Sequence, residues 1–139
     1  MDISNISWVG VIAAAVAAFV VGGIYYGVLG KPWMKAARID PSQAKMSAAL
    51  FITSILAELV MAIFLSMLIV TLSMGDSSVT MGLMTGFVVW LGFILTTLII
   101  NHRYQGFGWD LTLIDGLHWL LVMLVQGAII GYFGMAMTV

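Results

Sequence analysis

The stretch "MSAALFITSILAELVMAIFLSMLIVTLS", Met46–Ser73, decides the fold. It contains one charged side chain, Glu58, in a run longer than the roughly 20 residues that cross a bilayer as a helix. Lipid offers the backbone no hydrogen-bonding partner, so the run is a helix, and the alternation of a barrel strand is absent. Three similar runs flank it, giving spans at about 6–29, 46–73, 79–100 and 111–137. The expected fold is an all-α integral membrane protein, a single domain over 1–139 with four transmembrane helices in an antiparallel bundle.

Composition supports this. Of 139 residues, 63% are hydrophobic and 8% charged, against about 25% charged in a soluble domain. Net charge is −1, so no basic balance points to nucleic acid. The absence of cysteine removes disulfides, thiolate metal sites and thiol nucleophiles.

The charges imply an orientation. Lys31, Lys35, Arg38 and Lys45 lie between the first two spans, and Arg103 between the last two. "GDSS" (Gly75–Ser78) and both termini carry no lysine or arginine. The positive-inside rule makes the basic loops cytoplasmic and puts both termini outside. Since a secretory leader is basic before its apolar core and this chain offers only Asp2 there, the first run reads as a retained anchor.

Local signals set boundaries. "IDPSQ" predicts Asp40 as N-cap and Pro41 as first residue of a second helix of about 33 residues. Asp76 or Ser77 is expected to cap the third. Thr112 and Asp115 stand at capping-box spacing, which reads as the start of the fourth. "YYGVLGKPW" (Tyr25–Trp33) and "YQGFGW" (Tyr104–Trp109) suggest a weak parallel repeat.

Small residues let membrane helices approach. Gly23 and Gly27, Gly82 and Gly86, and Gly127 and Gly131 are the expected packing positions. On the fourth helix, Asp115, His118, Val122 and Gln126 share one face and Gly116, Gly127, Gly131 and Gly134 the other. Neither face suits lipid, which predicts subunit contacts and a homo-oligomer.

The candidate site is polar and intramembrane: Glu58, His118, Asp115, Gln126 and Ser54. Glu58 falls near the bilayer midplane, where an ionised carboxylate costs at least ~2.5 kcal/mol, so a proton or a partner must offset the charge. His118 lies at a similar depth and could pair with Glu58 as a proton relay, or bond a carbonyl or Ser54. Asp115 is either a helix-start residue or an acidic group at the cavity's mouth. No catalytic motif appears. A haem between His102 and His118 fails on depth, and copper on methionines such as Met74, Met81, Met84, Met135 and Met137 lacks a supporting histidine or cysteine. No cofactor and no metal site are expected.

"LGKPWMK" (Leu29–Lys35), "GLMTGFVVWLGFILTTLIIN" (Gly82–Asn101), "LTLIDGLHWLL" (Leu111–Leu121) and "GAIIG" (Gly127–Gly131) resemble the bacterial membrane domain-of-unknown-function family numbered 1761. The resemblance covers nearly the whole chain. It implies a small four-span protein of the bacterial inner membrane and supplies no activity. The family pattern often has an aromatic where His118 stands. The residues themselves suggest proton- or ion-linked transport of a small solute, with the lipid bilayer and further copies of the chain as the expected partners. A non-catalytic accessory or scaffold subunit is the alternative.

Overall fold

A computed structural model describes residues 6–42, 44, 47–74 and 77–135. Four helices are long and apolar enough to cross a membrane, and there is no strand among the described residues. We label them α1 (Trp8–Ala36), α2 (Ala48–Ser73), α3 (Val79–Tyr104) and α4 (Trp109–Met135).

Helix α1 starts at Ser7, whose hydroxyl accepts from the Gly10 N–H. It runs seven residues past the end of its apolar core at Leu29, through Pro32, to Ala36. Lys35 in its last turn complements the helix dipole. Tyr25–Trp33 is therefore continuous helix, whereas Gln105–Gly108 is a turn, so the two aromatic-glycine segments are not structural equivalents.

The start of α2 corrects the sequence reading. Ser47, not Asp40, is the N-cap, accepting from Leu50 N–H. Asp40 instead accepts from the Ser42 N–H at 2.9 Å in a local turn, which holds its exposed carboxyl below the usual carboxylate range. The helix is accordingly 26 residues, about 39 Å, rather than 33.

Helix α3 is capped by Ser78, which accepts from Met81 N–H. Of the two caps expected there, Asp76 lies outside the described residues and Ser77 turns its hydroxyl to Ser73 at 3.2 Å. A π-helical turn, Trp90–Leu95, interrupts α3, and the Trp90 indole N–H donates to the Gly116 carbonyl on α4 at 2.8 Å. The helix closes with Gly106 at φ 74°, where Phe107 N–H bonds the His102 carbonyl and Gly106 N–H that of Arg103.

Helix α4 packs against all three others. Against α3 the contact is backbone to backbone: a Cβ on Gly82 would land on the Gly127 carbonyl, one on Gly86 on Met123, and one on Gly131 on Ser78. On the other side, Val11, Ala14, Ala15, Ala62, Leu65, Ile69, Met123 and Ile130 form the core, away from the basic loops. Both faces of α4 are thus filled within one chain, so they no longer argue for a second copy. Gly23, Gly27 and Gly30 meet no neighbouring helix. The outward stripe Val16, Val20, Ile24 and Val28 is exposed and suits lipid.

Candidate functional site

On the side of the core toward the basic loops, a cavity of about 620 Å³ lies between α1, α2 and α4. Phe19, Gly22, Gly23, Tyr26 and Gly27 of α1 form one wall. Residues from Leu50 to Glu58 on α2 form another, and His118 and Trp119 of α4 close the back. Its exposed lining residues, Gly23, Gly27, Leu50, Phe51, Thr53, Ser54 and Ala57, lie on α1 and α2, so the mouth is between those helices. The stripe that lacks helix contacts is the one that leaves this room.

Glu58 is at the inner end, ten residues beyond Ala48 and about 15 Å along the helix. It is 6% exposed. Gln126, fully buried on α4, donates through Nε2 to the Glu58 carboxylate at 2.8 Å and to its backbone carbonyl at 3.1 Å. Gln126, rather than His118, is therefore the hydrogen-bond partner of Glu58. The Gln126 Oε1 is buried without a partner.

His118 is equally buried and stands among aromatic rings. Its centroid is 4.7 Å from that of Tyr26 and 5.4 Å from that of Tyr25. Its Nε2 fills the space beside Gly22, 3.0 Å from where a Cβ would be, and its Nδ1 has no partner. Ser54 lies exposed at the mouth, with no side-chain bond to His118. Glu58, His118 and Ser54 share the cavity without touching as a relay.

Asp115 does not start its helix. Because α4 begins at Trp109, Asp115 sits in the second turn, too deep for a capping box. It accepts from the Tyr26 hydroxyl at 2.9 Å and lies 3.6 Å from His102 Nε2. His102 Nδ1 is 3.0 Å from Thr112 Oγ1, to which Arg103 also donates at 3.1 Å. Arg103 stacks 4.1 Å over Trp109 and bonds the Gly108 carbonyl. The Tyr25 hydroxyl bonds the Ile114 carbonyl at 2.7 Å. A polar chain thus links the α3–α4 turn to Tyr26, which lines the cavity.

Tyr25, Tyr26, His102 and Arg103 were not among the sequence-derived site residues. One signal was available: a short helical hairpin brings residues equidistant from its turn to the same depth, which pairs His102 with Leu111 and Thr112. Among the described residues no three histidine, aspartate or glutamate side chains gather as metal ligands.

The chain belongs to the family described as a protein of unknown function, DUF1761, whose profile matches residues 9–131. No curated protein and no solved structure matches the chain.

Proposed function

We propose that this member of an uncharacterised membrane family is a small carrier of the bacterial inner membrane, in which Glu58 takes up and releases a proton as a small solute enters and leaves the cavity. The basic loops would face the cytoplasm, following the charge bias of the two connections. The observation that carries the reading is the cavity that reaches a buried carboxyl at mid-helix. Intramembrane carboxyls are costly to keep and recur at ion and proton pathways.

The chain Arg103–Thr112–His102–Asp115–Tyr26 supports it, since it supplies hydroxyl, imidazole and carboxylate groups between the loops and the cavity wall. A scaffold subunit requires no cavity and no unpaired buried histidine nitrogen. Infrared difference spectra between acid and alkaline medium, on protein in lipid, test proton exchange at Glu58. A carboxyl carbonyl band that exchanges with pH and is missing in Glu58→Gln is expected. The same bands in both proteins would refute the assignment.

A further inference from the structure

The lining of the cavity is unbalanced in charge. Among the described residues, Glu58 is its one formally charged side chain, and no described lysine or arginine lines it. Among the described residues, the titratable groups sharing that space are Tyr26 from α1 and His118 from α4, and α2 adds none besides Glu58. Besides the Thr53 and Ser54 hydroxyls the rest is apolar or aromatic: Phe19 and Phe51, edge-to-face at 5.9 Å, with Trp119 and the Tyr26 ring.

An anion would meet a carboxyl with no described cationic side chain to compensate it, and a neutral apolar solute would leave the carboxyl unused. A metal ion would find too few oxygen ligands. A cation carried on an apolar body satisfies both parts of the wall. Its charge is attracted by a carboxylate and by aromatic faces, and its body fills the hydrophobic volume. At about 620 Å³ the space is within the ordinary range for drug-sized ligands, roughly 300–1,000 Å³, and too small for a two-chain lipid. The mouth between α1 and α2 lies among exposed apolar residues, the route by which such a molecule would arrive from the bilayer.

We infer that the cavity binds a monovalent lipophilic organic cation with its charge beside Glu58, and that the cation replaces the Glu58 proton. This rests on the carrier reading and names its substrate class. One positive charge enters and one proton leaves, so the buried site keeps its net charge. Proton and cation compete for one carboxylate, so affinity rises with pH.

Tetraphenylphosphonium and tetraphenylborate, alike in shape and opposite in charge, provide the test by isothermal calorimetry on the detergent-solubilised protein. The phosphonium should bind one per chain and release one proton, measured from the dependence of heat on buffer ionisation. The borate should not bind. Glu58→Gln should weaken phosphonium binding by about 100-fold, as expected when one partner of a buried charge pair is removed. Glu58→Asp should retain part of it, and the two-probe comparison on the unaltered protein decides the matter should Glu58→Gln fail to fold.

Equal binding of both probes, or phosphonium binding without proton release, overturns the inference. So does a co-purifying phosphatidylethanolamine that the phosphonium fails to displace, which would give the site to a lipid amine. Phosphonium binding without proton flux in proteoliposomes keeps the site and removes the carrier. Glu58-dependent flux without phosphonium binding keeps the carrier and removes the cation.

Discussion

Among the described residues, the Glu58 carboxyl is held by a single donor, Gln126 Nε2. Replacing Gln126 with leucine preserves bulk and removes that bond. Interhelical hydrogen bonds in membranes average ~0.6 kcal/mol and reach ~1.7, because alternative partners exist in the unfolded state. Gln126→Leu should therefore lower stability by about 1 kcal/mol in reversible unfolding, with the fold retained. A collapse of the bundle would mean that the pair is structural rather than a tuning contact. At this scale the polar residues are conspicuous in the sequence and their partners are not. Glu58, Gln126, His118 and Asp115 stand out because polar groups are rare in such a chain. Their pairings depend on the rotation of each helix. Lipid-facing surfaces are as apolar as the core, so hydrophobic contrast does not reveal that rotation. Asp115 was read against Thr112 on its own helix, whereas its contacts are Tyr26 on α1 and His102 on α3.

Among the elements, α3 and α4 are joined by glycine, and α1 uses glycine differently. Gly82 and Gly127 face each other's backbones, which cannot move aside as a side chain can. Gly82→Ala should cost on the order of 1–3 kcal/mol, the range for overpacking a fitted contact, seen as a lower unfolding temperature. Gly23 faces open cavity space, so Gly23→Leu should unfold close to the parent temperature and yet lose solute binding. If Gly82→Ala is neutral and Gly23→Leu is destabilising, the assignment of the two glycine stripes is reversed. Helix existence was plain from apolar length. The ends were harder to read. Three consecutive serine caps, Ser7, Ser47 and Ser78, compete with more conspicuous aspartates nearby, and a membrane helix can continue beyond its apolar run, as α1 does through Pro32.

The whole molecule assembles its cavity from α1, α2 and α4, with α3 buttressing α4 from behind. The loops at the wide end are tied together: Arg38 of the α1–α2 connection donates to the Gly106 carbonyl at 2.7 Å and lies 5.4 Å over Phe107. That tie joins the end of α1 to the α3–α4 turn. The cavity itself left little trace in the sequence, since it is a gap between helices and its glycines have the same spacing as packing glycines. The carrier account stands or falls on one measurement: proton flux into proteoliposomes under an imposed pH gradient, read with an internal pH dye, for the unaltered protein and Glu58→Gln side by side. The account predicts flux that depends on the added solute and falls to the protein-free level in Glu58→Gln. Equal flux in the two proteins would contradict it.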